Sequence, residues 1–271
     1  GQLKRFVPAG SQANEGLYYL TMNLNGNIVS SFDFGTGRLV ELDLTRYAEE
    51  GYAPVFTTLA TNGRIPLGAL RAGSQLISTG IYTEGRYRCT VNDNDYFSVS
   101  YPECADQTMS DSLKSIFYAS NCMAVNSSNT RLACANMQYG CLDLCDIEGN
   151  TLRRMNEVHL NRPGIVVRHN RRNKTGIWYP ISYTKNNLFG FCDLTTSDEH
   201  IFALYSGRTY RQYKGDVDKG RTILVFDWNG THVRTYQLPN SCSSITYDKA
   251  SNTIYALSQE KGKAEIITLN L

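Results

Sequence analysis

The chain has 271 residues, of which 41% are hydrophobic and 19% are charged, and this composition excludes an intrinsically disordered protein. Its formal net charge of +2 is smaller than a nucleic-acid-binding surface usually requires. No run of about 18 apolar residues occurs, so the sequence predicts no transmembrane helix. The 18 Tyr and 22 Gly favour many short strands joined by tight turns.

Two units of short predicted strands lie in the N-terminal part of the chain. Runs of β-branched and aromatic residues alternate there with turn-forming residues, as expected for antiparallel sheets. The predicted strands of these two units lie at 27–32, 38–43 and 55–59, and at 76–82, 86–91 and 96–101.

Three later segments repeat the same order of strand, loop and strand. They span residues 129–160, 198–238 and 252–271, and each follows a further predicted strand. The turn after Asp227 contains Asn-Gly, a strong hairpin signal. Asp146 and Asp227 occupy matching turn positions 81 residues apart, which leaves room for one weaker unit between them.

Four-stranded units that recur every 40–50 residues or so are typical of a β-propeller, and six units in this chain would each have about 45 residues. The last unit has three clear strands, so we expect the segment from Leu3 to Val7 to add a fourth strand and close the ring. The sequence therefore predicts one all-β domain over residues 1–271. It is a six-bladed β-propeller of four-stranded antiparallel blades, closed by an N-terminal strand.

Eight cysteines permit a disulfide framework, but most lie in apolar strand segments, where we predict buried free thiols. Cys141 and Cys145 lie four residues apart on one predicted strand. The distance of about 13 Å is too long for a disulfide between them. The sequence also argues against zinc at this pair, because no CxxC motif or partner His is nearby.

The loops between the second and third strands of the blades open on one face of a propeller, where binding sites are expected. The loop at 205–221 is the longest of them. Its aromatic and cationic side chains suit stacking on a sugar and bidentate contacts with an anion, although they could also cover their own blade. The predicted ligand-binding residues are Tyr205, Arg208, Tyr210, Arg211 and Tyr213, with Arg86 in the loop at 83–86.

A basic run at 168–174 precedes Trp178 and Tyr179, which we add to the predicted ligand-binding residues. Basic residues beside aromatic rings can hold an anionic glycan or a nucleic acid, although such a run is more often a solvated turn. Nothing else in the chain suggests a nucleic-acid groove, so we predict no nucleic-acid partner.

The sequence offers little for catalysis. Its four His show no HxH or HExxH spacing, and neither a GxSxG elbow nor a Walker loop occurs. Lactonase-like and lyase propellers use side chains that project into the channel around a metal. The predicted inner strands here offer Asn126, Asp193 and Asp248, and the two Asp suit structural turns better. We predict no catalytic residue, no metal and no cofactor.

Several motifs carry a family resemblance: IYTEGRY at 81–87, IFALYSGR at 201–208, ILVFDWNG at 223–230, and SITYD at 244–248 followed by TIYAL. In these motifs the chain resembles the TolB-like six-bladed propeller family of Bacteroidetes, over residues 66–271. The resemblance implies a secreted or lipid-anchored envelope protein, with any anchor upstream of Gly1. It implies no particular enzyme activity.

Three functional hypotheses remain open at this point. The leading one is an extracytoplasmic, monomeric, non-catalytic propeller that binds a carbohydrate or protein partner on its loop-rich face. The second is an enzyme, either a lactonase-like hydrolase or a polysaccharide lyase, with a metal in the central channel. The third is a structural envelope protein without a small ligand. We expect the protein in the periplasm or at the cell surface.

Overall fold

The computed structural model describes residues 7, 10, 19–61, 63–102, 109–167, 181–260 and 263–271. The predicted closing strand from Leu3 to Val7 lies outside these residues, apart from Val7. Cys104, Trp178 and Tyr179 also lie outside them.

Three four-stranded antiparallel sheets follow one another along the chain, and we call them blades 1, 2 and 3. Blade 1 contains β1 (Tyr19–Asn25), β2 (Ile28–Asp33), β3 (Arg38–Asp43) and β4 (Val55–Thr58). Blade 2 contains β5 (Ile65–Ala72), β6 (Gln75–Ile81), β7 (Tyr87–Val91) and β8 (Asn94–Ser98). After a short helix, α1 (Asp111–Phe117), blade 3 contains β9 (Asn121–Val125), β10 (Arg131–Asn136), β11 (Cys141–Glu148) and β12 (Thr151–His159).

The later strands form a hairpin and a six-stranded sheet. The hairpin pairs β13 (Ile165–Val167) with β14 (Ile181–Tyr183). A short helix, α2 (Tyr210–Tyr213), lies between the second and third strands of the sheet. The six strands are β15 (Phe191–Thr196), β16 (His200–Tyr205), β17 (Gly220–Asp227), β18 (His232–Asp248), β19 (Thr253–Glu260) and β20 (Lys263–Asn270).

The 17-residue strand β18 belongs to two blades. Its first part, from His232 to Gln237, pairs with β17. Its second part, from Cys242 to Asp248, pairs with β19. We therefore call β15, β16, β17 and the first part of β18 blade 4, and the remaining three strands blade 5.

Apolar side chains join neighbouring blades. Leu142 and Leu144 of blade 3 pack in one buried cluster with Phe191 and Phe226 of blade 4. Other clusters join blade 1 to blade 2, blade 2 to blade 3, and blade 4 to blade 5. Burial between sheets provides the main stabilisation, because a single sheet leaves one apolar face in water. The predicted all-β propeller fold is confirmed.

The interval between Asp146 and Asp227 differs from the prediction. Its described residues contain no additional four-stranded sheet, and blades 3 and 4 are direct neighbours. The interval instead contains the hairpin of β13 and β14, whose apolar side chains pack on α1. The 81-residue spacing therefore does not correspond to two blade repeats. An insertion between adjacent blades accounts for it.

Two further predictions are confirmed locally. The Asn-Gly turn joins β17 to β18, where Gly230 has φ +85° and Asp227 Oδ1 accepts hydrogen bonds from the backbone N–H of Asn229 and Thr231. The seven described cysteines are all buried, and no disulfide joins any two of them. In the ranges that the structure describes, no helix has the length and apolar character needed to cross a membrane.

The strands alternate in direction, so the loops between second and third strands open at the same end of the ring as the connections between blades. We call this end the loop-rich face. It carries Arg86, Tyr139, α1, α2 and the hairpin of β13 and β14.

Candidate functional site

A layer of aromatic side chains covers blades 2 and 3 on the loop-rich face. Phe117 and Tyr118, at the end of α1, meet Tyr101 and Tyr139 from the flanking loops. The Tyr101 and Tyr118 rings stack at 5.8 Å, and the Phe117 and Tyr139 rings at 5.1 Å. The Tyr139 hydroxyl donates a hydrogen bond of 2.9 Å to the Tyr118 hydroxyl, so the layer is both apolar and hydrogen-bonded.

Arg86 lies beneath this layer and is buried, although the sequence suggested a ligand-binding residue. Its Nη1 lies 3.3 Å from Asp143 Oδ2, and its guanidinium lies 5.0 Å from the centre of the Tyr118 ring. Asp143 also accepts hydrogen bonds from the Tyr87 hydroxyl at 2.8 Å and from Arg154 Nε at 2.6 Å. Arg86 therefore contacts a buried carboxylate and the aromatic layer.

Three potential metal ligands meet beside this network. Cys141 at the start of β11 pairs directly with His159 at the end of β12, and Asp143 pairs with Glu157. Directly opposed residues of an antiparallel pair point to the same side of the sheet, so Cys141, Glu157 and His159 share one side. Their sulfur, oxygen and nitrogen ligand atoms all lie within 4.8 Å of one another.

The three side chains differ in exposure. Cys141 is fully buried, whereas the His159 side chain is 41% exposed and Glu157 is 16% exposed. Burial raises the pKa of the Cys141 thiol to about 12, although the charge of Arg86 and the Tyr139 hydroxyl oppose this shift. Because the thiolate is the form that acts as a nucleophile or binds a metal, the Cys141 sulfur must lose its proton before it can do either.

The sequence argument against zinc at Cys141 and Cys145 relied on the lack of a partner His nearby. That argument considered only sequence neighbours, and His159 lies 18 residues further along the chain. The hairpin between β11 and β12 makes His159 the cross-strand partner of Cys141. Counting back from the turn, with Glu148 opposite Thr151, would have paired Cys141 with Val158. A register shift between Leu144 and Cys145 brings His159 opposite Cys141 instead.

Within the long loop of blade 4, Arg208 points inwards. It is buried, its Nη1 donates a 2.8 Å hydrogen bond to the Asp216 carbonyl, and its Nη2 donates to the Ser241 hydroxyl. Its guanidinium lies 4.5 Å from the centre of the Tyr213 ring. Tyr205 is half-buried, and its ring lies 5.6 Å from that of Phe191. These two predicted residues therefore support the loop from inside.

The other three predicted residues of this loop lie on α2 and face solvent. Tyr210 is 49% exposed, Tyr213 is 47% exposed, and Arg211 is also exposed. The Arg211 backbone N–H donates a 2.9 Å hydrogen bond to the Lys185 carbonyl, which joins α2 to the connection after β14. The structure thus brings Tyr210, Arg211 and Tyr213 together on one exposed turn.

The polar residues proposed for the channel have internal partners. Asn126 Oδ1 accepts hydrogen bonds from the backbone N–H of Thr130 and Arg131, and Asp248 accepts one from that of Ala250. These are turn roles, as expected for Asp248. Asp193 has a different role, because its carboxylate contacts the inner strand of blade 5.

A cavity of about 500 Å³ lies between blades 4 and 5 on the opposite face of the ring. His200, Arg234, Tyr236, Tyr247 and Lys249 contribute to its walls. These residues lie at the start of β16, along β18 and in the turn after β18, away from α2 and from the aromatic layer.

Comparison with known proteins gives a family and a set of similar folds. The model of the family described as TolB-like 6-blade propeller-like matches residues 75–250. A proposed 6-phosphogluconolactonase from Bacteroides uniformis is similar with a TM-score of 0.50 and 9% identity, over 94% of this chain and 72% of that one. The β-propeller domain of Cps50 (Swd1) from Myceliophteria thermophila is similar with a TM-score of 0.44 and 12% identity, over 93% and 84%. No curated protein matches the sequence.

Proposed function

The chain belongs to the TolB-like 6-blade propeller-like family, and from this premise we propose that it is an extracytoplasmic, non-catalytic propeller that binds carbohydrate on its loop-rich face. The observation that carries the proposal is the exposed turn of α2, which contains Tyr210, Arg211 and Tyr213.

The turn is held in place before any ligand arrives. Thr209 Oγ1 accepts a hydrogen bond from the Gln212 backbone N–H and caps α2. Arg208 anchors the loop from below and lies against the Tyr213 ring. A preorganised site loses little side-chain entropy on binding, which favours affinity.

The chemistry of the turn suits a sugar that carries a carboxylate. Tyr rings present flat apolar surfaces with a polar hydroxyl at the edge, which can pack on the C–H side of a sugar ring. The Arg211 guanidinium can form two parallel hydrogen bonds with a carboxylate. We therefore infer that uronic-acid polymers bind more tightly than neutral ones.

The enzyme alternative placed a metal in the central channel. In the described part of the chain, the group of metal-ligating side chains lies on β11 and β12, the third and fourth strands of blade 3. The enzyme hypothesis required metal ligands on the inner strands that face the channel, and neither β11 nor β12 is an inner strand. The binding hypothesis therefore has the stronger support.

Titration calorimetry with soluble polygalacturonate and with dextran tests the proposal. We expect binding of polygalacturonate, and about tenfold weaker binding after Tyr210→Ala or Arg211→Ala. Tyr96→Ala is the matched control, because Tyr96 is also exposed but lies on the outer strand β8 of blade 2. An equal loss of polygalacturonate affinity in all three variants, or no binding of either polymer, would contradict the proposal. Preferential binding of a protein would instead favour the hypothesis that the loop-rich face binds a protein partner.

A further inference from the structure

We propose that Cys141, Glu157 and His159 form a zinc-binding site at the loop-rich end of blade 3. The site is separate from the exposed turn of α2 and does not depend on carbohydrate binding. It combines one sulfur, one carboxylate oxygen and one imidazole nitrogen.

The pairing of β11 with β12 places these ligands together. The direct pairs Cys141–His159 and Asp143–Glu157 set the three side chains on the same side of the hairpin. Their ligand atoms lie within 4.8 Å of one another, and Zn²⁺ binds such atoms at about 2.0–2.3 Å. Side-chain shifts of about 1 Å would therefore be enough to place all three around one ion.

The donor set favours zinc among common divalent ions. A thiolate and an imidazole are soft or borderline ligands, which suit Zn²⁺ and disfavour Mg²⁺ and Ca²⁺. Three protein ligands leave a fourth tetrahedral position for water or another ligand. On binding, the Cys141 thiol forms its bond to the metal and releases its proton to solvent, so affinity rises with pH.

The surroundings orient each ligand. Glu157 Oε1 contacts His159 Nε2, while Arg154 Nε lies 3.5 Å from Glu157 Oε2 and holds the other oxygen. The Tyr139 ring stacks on the His159 ring at 6.1 Å. Such contacts outside the ligand shell fix ligand geometry in metal sites.

Charge and access are also compatible with a cation. The nearby guanidinium of Arg86 has a carboxylate partner in Asp143, which offsets its repulsion of a metal. The partly exposed His159 can be reached by an ion from solvent, while the Cys141 sulfur beside it is buried. The site therefore has one solvent-accessible ligand, one buried ligand and an oriented carboxylate.

Metal binding can be measured directly on the whole protein. The protein is stripped with a chelator, dialysed against Zn²⁺, and its metal content is determined by mass spectrometry. We expect about one tightly held equivalent. Replacement by Co²⁺ should add a thiolate-to-cobalt absorption band, which identifies sulfur as a ligand. Stripped protein that takes up no Zn²⁺ would overturn the proposal.

Variants separate this site from adventitious binding. His159→Ala should weaken Zn²⁺ binding by about 100-fold or more, and Cys141→Ser should abolish the cobalt–sulfur band. His159 is partly exposed, so its variant should fold. The controls are Cys145→Ser, a buried cysteine of the same strand, and the exposed His232→Ala. If His159→Ala binds zinc as tightly as the wild-type protein, or if the controls lose it equally, the assignment is wrong.

Discussion

Asp193 Oδ2 accepts a 2.7 Å hydrogen bond from the Ser244 hydroxyl, and this contact joins the inner strands of blades 4 and 5. The same oxygen accepts a 3.0 Å hydrogen bond from the Ile245 backbone N–H. The carboxyl group is buried between the two sheets, and burial raises its pKa to about 6 in spite of these hydrogen bonds.

The raised pKa of Asp193 predicts a pH dependence of stability. The folded state holds this proton more tightly than the unfolded state, where the pKa is 3.8. The contribution of this group to the free energy of unfolding should therefore fall as pH rises from about 4 to about 6, by roughly 3 kcal/mol, and then stay constant.

Urea unfolding of the wild-type protein and of Asp193→Asn across this range provides the test. The difference between the two free energies should change between pH 4 and 6 and become constant above about pH 7. Asp248→Asn is the control, because the Asp248 pKa is lowered by hydrogen bonds from Ser251 and Ala250. The contribution of Asp248 to the free energy of unfolding is lost only as pH falls below about 3.8, the pKa of the group in the unfolded state. Parallel curves for the wild type and Asp193→Asn would refute the prediction.

Arg208 and Arg211 lie three residues apart and should respond differently to Ala substitution. Arg208→Ala removes charged hydrogen bonds to the Asp216 carbonyl and to Ser241, and we expect a loss of about 2–3 kcal/mol in the free energy of unfolding. Arg211→Ala removes an exposed side chain and should change the free energy of unfolding by less than about 0.5 kcal/mol. Denaturant unfolding measures both. Equal effects would mean that Arg208 does not anchor the loop.

Asp143 and Asp146 test the difference between a buried and a surface ion pair. Asp143→Asn leaves the buried Arg86 without its carboxylate partner, which should cost about 3–5 kcal/mol. Asp146→Asn weakens contacts with the exposed Arg153, which should cost less than about 1 kcal/mol. Thermal and urea unfolding of both variants are the measurements. A small effect of Asp143→Asn on the free energy of unfolding would contradict a stabilising role for the buried Arg86–Asp143 pair.

Gly190 should not tolerate a side chain. A Cβ atom at this position would collide with the carbonyl oxygens of Asn136 and Tyr139, both in backbone that cannot move cheaply. Gly190→Ala should therefore lower the free energy of unfolding by about 1–3 kcal/mol or more. Gly215→Ala is the control, since a Cβ atom there meets nothing within 4 Å. An unchanged melting temperature for Gly190→Ala would show that the backbone of the blade 3 loop, from Asn136 to Tyr139, can shift to accommodate the added Cβ atom.

The strands could be predicted because their signals are local. The turn after Asp227 and the alternating runs at 38–43 and 76–82 specify short strands without reference to the rest of the chain. Helix α1 was missed for a related reason. Its seven residues make fewer than two full turns, too few for a clear helical period. Its apolar side chains are buried by contacts with residues that are distant in the sequence, among them Tyr139 and the hairpin of β13 and β14.

The candidate sites depended on contacts between distant residues. Arg86 and Arg208 are of a residue type that often binds ligands. In the fold, Asp143 contacts Arg86 and Ser241 contacts Arg208, and these contacts give both arginines structural roles. Trp178 and Tyr179 remain predictions, because they lie outside the described residues.

The sequence by itself determined that this protein is an all-β propeller of short antiparallel strands with buried cysteines in those strands, because turn chemistry and apolar alternation act over a few residues. The tertiary structure decided which side chains face solvent and which meet. It placed Tyr210, Arg211 and Tyr213 on a supported turn, and it brought Cys141 to His159 through the register of β11 and β12. Those arrangements depend on burial and strand pairing between residues far apart in the chain, which no local pattern specifies.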